Sequence, residues 1–381
     1  MGRKTTVPPD ARRRVSDARG AAHNEPILVT RRQAETARFC FLGEFGYEII
    51  SWIPYLLYLK RTLGLKLRTL SRPGSSLFYA FSEDHREAPA SLIGGVWGEP
   101  ASYDRLRRRF RSTRLIHPGP DMINKRRIRV EGVEWTTRDI HRPIAETNYV
   151  RPDLSAVEAW SPIPGRPLVV LNNKYFVQWP GTFDAPVNYF DRASLVALRD
   201  LLVQRGYGVA YNHFVEKTAV DEHRRLDDEG IFGLDAATYD LRSRYAETTC
   251  PADRNRLQIS VYNAADFVIG PQGGNLYLPA VCRRPIFLLM RAGEYVDYRE
   301  LGRLYGVAVE AFYEPRHLLN WLGSTLPWRS EAPRTIWRRT EGAADEPHVV
   351  TDASIHASVI DARERGGRDI GSAGRAEPIR R

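Results

Sequence analysis

From Leu168 onward short apolar runs alternate with helical stretches, and no other feature limits the fold of this chain as tightly. Leu168–Leu171 reads as a buried strand, Asp191–Gln204 as a helix capped by Asp191 and ended by Gly206, and Gly208–Asn212 as the next strand. A helix over Arg256–Ala264, a strand over Phe267–Ile269, a helix over Gly274–Val281, a strand over Pro285–Met290 and a helix over Arg299–Leu304 continue the series. This rhythm predicts a parallel sheet with helices on both faces. A shorter unit precedes it: strand Arg38–Leu42, the Gly-punctuated turn GEFGYE, apolar residues at helical spacing over Ile49–Leu63 with Pro54 near the start, and strand Leu65–Leu70. Between the units, Ser71–Val150 has no clear rhythm, and the Pro-rich Trp160–Pro167 reads as a linker because its prolines hold their neighbours extended.

The fold expected is therefore α/β, two Rossmann-like domains facing a cleft, with disordered N- and C-terminal tails. Residues 1–36, a mixture of Arg, Pro, Ala and Gly, read as a disordered basic leader. Residues 37–160 form the N-terminal domain, 161–328 the C-terminal domain and 329–381 a flexible tail. The net charge of +10 raises nucleic acid, an anionic membrane or an anionic substrate as partners, and its distribution narrows them. Nine basic and four acidic residues lie at or before Arg38, half of the excess, so the leader is the segment suited to peripheral contact with an anionic membrane. A second basic stretch, Arg105–Arg114 and then Lys125–Arg129, is either a solvated helix face or a surface for a phosphorylated donor or acidic acceptor. No aromatic–basic RNA signature, helix-turn-helix or zinc finger points to nucleic acid. With no apolar run of about 20 residues and no apolar leader core, a cytoplasmic protein is expected.

In open α/β sheets ligands sit beyond the carboxyl ends of the strands, so the residues just after each strand carry the chemistry. In the second unit these are Asn172, Asn173 and Lys174, then Asn212 and His213, then Gln272, Gly273, Gly274 and Asn275. Lys174 is suited to a diphosphate, and the backbone of the Gly-rich turn at the start of a helix to phosphate oxygens. In the first unit they are Gly43, Glu44, Phe45, Gly46, Tyr47 and Glu48. Glu44, inside the turn, is the candidate general base toward an acceptor hydroxyl, whereas Glu48 at the helix start also suits the helix dipole. The aromatics Tyr175, Phe176, Trp179, Phe183 and Tyr189 are either a stacking surface or a packed loop. The stretches Asp221–His223 and Leu226–Glu229 read as exposed and acidic, and His117, His141 and His223 as surface or capped histidines. Cys40 and Cys282, in apolar runs, read as core thiols. GxSxG, a Walker A ending and a full GxGxxG are all absent, which lowers hydrolase, kinase and dehydrogenase readings.

The segment DFVIGPQGGNL, Asp266–Leu276, is similar to the donor-site strand–turn–helix of GT-B glycosyltransferases. It most resembles the xylan-modifying and protein O-GlcNAc transferase family, whose motif reads His-Gly-Ala-Gly-Leu; here Gln272 stands at the histidine position. The resemblance covers mainly Arg38–Leu63 and Leu168–Pro315. It implies transfer of a sugar from a nucleotide-activated donor to a glycan or other acceptor hydroxyl in polysaccharide biosynthesis, with no cofactor. No metal is expected to be obligatory, since an Asp-x-Asp pair is absent. Donor contacts would come from the second unit and acceptor contacts from the GEFGYE turn. Two alternatives remain on the same fold: a non-catalytic binding or scaffold protein, and a pyruvyl transferase-like enzyme.

Overall fold

The computed structural model describes residues 26–43, 45–93, 100–110, 114–118, 127–135, 150–174, 188–213, 227–273, 276–291, 302 and 305–327. Apart from Gly302, the expected helix over Arg299–Leu304 lies outside them, as do the tail from 329 and residues 1–25 of the leader. Ordered structure nevertheless begins before residue 37. Strand β1 (Ile27–Val29) and helix α1 (Arg31–Thr36) both fall inside the expected leader. Local chemistry explains why: Thr30 Oγ1 accepts from Gln33 N–H at 3.4 Å, and Gln33 Oε1 accepts from Thr30 N–H at 3.1 Å, a reciprocal capping box. Thr30→Ala is expected to cost about 1 kcal/mol, read as a lower urea midpoint with an unchanged slope.

The first sheet follows as β2 (Arg38–Cys40), β3 (Arg68–Ser71), β4 (Asp84–Glu87) and β5 (Leu115–Ile116), all parallel, in the spatial order β4-β3-β2-β5. Between β2 and β3 the single helix expected over Ile49–Leu63 has two parts: a π-helical turn, Glu48–Trp52, and helix α2, Ile53–Leu63. Proline accounts for the break. Pro54 has no N–H to continue the ladder, and the preceding Ile53 N–H reaches back five residues to Glu48 O. Helix α3 (Pro100–Arg109) leads to β5, and β6 (Ile128–Val130) with β7 (Val133–Trp135) joins β1 in a small separate sheet. Trp135 stands edge-on to Trp52, with centroids 5.0 Å apart, and donates from Nε1 to Ser51 Oγ at 2.9 Å.

The second sheet contains β8 (Leu168–Asn173), β9 (Gly208–His213), β10 (Thr238–Asp240), β11 (Ala265–Pro271), β12 (Ile286–Leu289) and β13 (Val309–Phe312). All are parallel in the order β10-β9-β8-β11-β12-β13. Numbered within the sheet this is 3-2-1-4-5-6, the doubly wound order, and the first sheet repeats its opening, 3-2-1-4. Helices α4 (Arg192–Gln204) and α8 (Pro315–Thr325) cover one face, and Arg205 donates to the carbonyls of Gly323 and Leu326 at the end of α8. Helices α5 (Leu241–Ala246), α6 (Pro251–Ala264) and α7 (Tyr277–Val281) lie on the other.

The two sheets meet edge to edge. The loop after β3 packs on the start of α6: a Cβ at Gly74, φ 90°, would lie 2.6 Å from Pro251 Cβ, and Asn255 Nδ2 donates to Gly74 O at 2.8 Å. The π-helical turn after β2 packs on α7, which follows β11. Helix α6 runs back toward the start of β11, so its first residue lies at the carboxyl ends of the second sheet. Both carboxyl edges therefore face one another across this contact, the two-sheet α/β arrangement read from the sequence. One buried apolar cluster is continuous through it, from Phe39, Trp52 and Tyr55 to Val170, Ile259, Val268 and Leu278. The linker is fastened rather than free: Trp160 N–H donates to Ser260 O at 3.0 Å, and Ile163 fills the space a side chain on Gly208 would need.

Candidate functional site

A doubly wound sheet opens a crevice where the strand order reverses, because the connections on either side leave in opposite directions. In the second sheet that point lies between β8 and β11. Lys174 follows β8, Gln272 and Gly273 follow β11, and the two ends are in contact: a Cβ placed on Gly273 would collide with Nζ and Cε of Lys174. Gly273 has φ 153° and no side chain, so the ammonium lies directly over its backbone. Gly274 and Asn275, with the aromatics of 175–183, lie outside the described residues. The helix expected from Gly274 starts at Tyr277 and is only five residues long.

Beneath this crevice the strand ends are held by a closed amide network. Asn172 Oδ1 accepts from Asn212 Nδ2 at 2.7 Å and from Tyr262 OH at 3.0 Å, and Asn212 Oδ1 accepts from Tyr245 OH at 2.9 Å. Asn172 Nδ2 is buried and has no hydrogen-bond partner among the described residues. Asn173 turns to the opposite face, where its amide pairs reciprocally with the Phe190 main chain at 2.9 and 3.0 Å. Gln272 Oε1 accepts from Asn188 Nδ2 at 3.2 Å, and Asn188 Oδ1 accepts from Arg291 N–H at 2.7 Å.

His213, at the end of β9, is oriented by a carboxylate. Its Nδ1 lies 2.6 Å from Asp228 Oδ2, which also accepts from Tyr211 OH at 2.7 Å, while Asp228 Oδ1 accepts from Arg242 Nη1 at 2.8 Å. Burial opposes the charge on Asp228, but the bonds from His213 and Tyr211 and the attraction of His213 and Arg242 outweigh it and hold the carboxyl down at about 2. Asp228 thus corrects the reading of Leu226–Glu229 as exposed, for it is 2% exposed. Nothing local marks it; its partner Arg242 arrives from a later element. The pair fixes which imidazole nitrogen points away from Asp228, an arrangement able to bind or move a proton there.

In the first sheet the reversal lies between β2 and β5, and the register that pairs Phe39 with Ile116 carries His117 level with Cys40, three residues before Gly43. His117 is buried rather than at the surface. Its ring stacks on Tyr103 at 4.3 Å, and Tyr103 OH accepts from Leu42 N–H at 3.1 Å. Glu44 lies outside the described residues, between Gly43 and Phe45. Gly46 is buried, Phe45 meets Phe78 edge-on at 5.5 Å, and Tyr47 is half-buried. Glu48 is fully buried; Oε1 accepts from Tyr79 OH at 2.7 Å and Oε2 from Ser75 Oγ at 3.0 Å. Burial outweighs both bonds and pushes its carboxyl up to about 7. Among the described residues no three His, Cys, Asp or Glu side chains are grouped to hold a metal ion. None of the described helices is long and apolar enough to cross a membrane.

No family model and no curated protein matches the chain. Among solved structures, the E. coli heptosyltransferase WaaC with ADP-2-deoxy-2-fluoro heptose is similar over 75% of this chain and 98% of its own, at 13% identity and TM-score 0.46. The S. aureus MnaA–UDP structure is similar over 77% of this chain and 92% of its own, at 9% identity and TM-score 0.40. TibC from enterotoxigenic E. coli, an iron-containing dodecameric glycosyltransferase, is similar over 69% of this chain at 13% identity and TM-score 0.38. The chain spans 57% of TibC, less than two thirds of its length. Scores below 0.5 leave function to be read from the chain's own residues.

Proposed function

We propose that this chain is a glycosyltransferase that binds a nucleotide-activated sugar at the reversal point of the second sheet and moves the sugar to a hydroxyl held at the first. The apposition of Lys174 and Gly273 carries this reading: an ammonium over a bare backbone, at the point where an open α/β sheet receives a ligand. That cation suits the diphosphate leaving group, whose charge grows as the glycosidic bond breaks. Gln272 and the turn Gly273–Asn275 would line the same crevice, with Asn172, Asn212 and His213 shaping its floor and Asn173 bracing the end of β8 from the opposite face through Phe190. Glu44 would take the proton of the acceptor hydroxyl, and Gly43–Glu48 would form the acceptor side. No step calls for a metal or a cofactor. The similarity of DFVIGPQGGNL to the GT-B donor segment supports the same assignment, with glycan or polysaccharide biosynthesis as its setting.

Titration calorimetry of the full chain with a panel of nucleotides and nucleotide sugars tests it. At least one member should bind, and Lys174→Ala should weaken that binding by about 10- to 100-fold, the loss of one charge-assisted contact of about 1.5–3 kcal/mol. Absence of binding across the panel would leave the non-catalytic scaffold reading. Unchanged affinity in the variant would remove Lys174 from the site.

A further inference from the structure

A cavity of about 270 Å³ opens along β5, on the free edge of the first sheet. Among the described residues its walls are Ile27, Leu115, Ile116, Arg107, Arg114 and His117, none of which carries a carboxylate. Basic residues in the last turn of a helix have an ordinary explanation, the negative end of the helix dipole, and it suffices for the exposed Arg108 and Arg109. Arg107 differs. Its Nη2 lies 2.7 Å from His117 Nε2, and because a guanidinium only donates, the imidazole must accept at Nε2. The other contact of Arg107, with Asp104 at 3.6 Å, joins two side chains that are half exposed and competes little with a ligand. Two arginines and a histidine lining one hollow, with no acid among its described lining residues, are matched to a doubly charged oxyanion, which Arg binds through paired N–H donors.

Position gives the hollow its meaning. His117 directly follows β5, so one wall of the cavity stands at the carboxyl edge of the first sheet, level with Cys40 at the end of β2. Tyr103 joins the two places, stacked on His117 and bonded to Leu42 N–H. The volume, a little under the roughly 300 Å³ of the smallest ordinary ligand sites, suits one small charged portion of a larger molecule. We propose that the cavity of Arg107, Arg114 and His117 binds the phosphate of a phosphorylated acceptor whose hydroxyl reaches the Gly43–Glu48 turn. The word acceptor rests on the transferase reading; the phosphate site does not.

Calorimetry with inorganic phosphate and with a hexose phosphate tests the site on the full chain, comparing wild type with Arg107→Gln/Arg114→Gln. The double variant should bind both probes at least tenfold more weakly, keep its circular dichroism spectrum, and retain the wild-type affinity for any nucleotide whose binding depends on Lys174. Arg107→Lys/Arg114→Lys, which keeps the charge but loses the paired donors, should lie between the two. Co-sedimentation with phosphatidic acid vesicles separates the sources: binding that is lost in the double Arg→Gln variant places the phosphate on a lipid, and hexose phosphate binding alone places it on a soluble acceptor. The proposal is overturned if wild type binds neither probe or if the double Arg→Gln variant binds them unchanged. Phosphate binding without nucleotide binding would sink the transferase reading and leave the cavity assignment standing.

Discussion

Replacing Glu44 with glutamine is expected to slow sugar transfer by about 10²- to 10⁴-fold while nucleotide affinity stays at the wild-type value, the signature of a lost general base. Two carboxylates, Glu44 and Glu48, belong to one turn, and the surroundings of Glu48 exclude it from this role. Each oxygen of Glu48 accepts from a buried hydroxyl, of Tyr79 or Ser75, and the side chain is sealed from solvent, so an acceptor arriving from solvent does not reach it. Glu44 belongs to the same turn, one residue past Gly43 at the reversal point of the first sheet. Glutamine keeps the size of the side chain and removes its capacity to take a proton. Transfer and slow donor hydrolysis are to be followed together by release of the nucleotide. A Glu44→Gln enzyme that turns over at the wild-type rate would move the base elsewhere without disturbing the donor site.

Glu48→Gln is expected to do the opposite, leaving nucleotide affinity intact and changing stability. An acid held at about 7 in the fold and at its ordinary 4.5 when unfolded binds more protons in the native state across that interval. Its contribution to stability is therefore fully present below about 4.5, falls as the pH rises, and is gone above about 7. The difference amounts to about 3 kcal/mol in alkaline solution. Glutamine mimics the protonated acid and pairs with the same two hydroxyls. The variant should match wild type near pH 4.5 and exceed it by up to about 3 kcal/mol at pH 8, measured as urea unfolding at both pH values. A variant less stable than wild type at pH 8 would show that Tyr79, Ser75 and the nearby Arg72 stabilise the ionised carboxylate by more than burial opposes it.

The second sheet was legible because its central strands are buried on both faces and read as unbroken apolar runs; LVVL at the start of β8 and FVI within β11 leave little choice. The first sheet hid its later strands. β4 is DHRE, an edge strand with polar side chains, and β5 is two residues long, so neither carries a periodic signal. The site followed the same division. Candidate residues such as Lys174 and Gly273 closely follow legible strands, so topology alone points to their positions. His117 was passed over because the strand before it was not seen, and Asp228 because its burial depends on Arg242 and Tyr211, which no spacing rule connects to it. The π-helical turn had a visible cause in Pro54, but the consequence, a carboxylate sealed between two hydroxyls, required Ser75 and Tyr79 from beyond β3.

The apolar cluster that runs unbroken from Trp52 to Val268 means that neither sheet is a self-sufficient module. Cutting the chain in the Pro-rich segment would strip each half of its partner and lay bare a face made of Leu, Ile and aromatic side chains, a surface that aggregates in water. The halves of this protein are therefore not interchangeable parts. A second sheet grafted from elsewhere would need to carry its side of the seam with it, so changes at the strand-end residues disturb the fold less than exchange of a whole half.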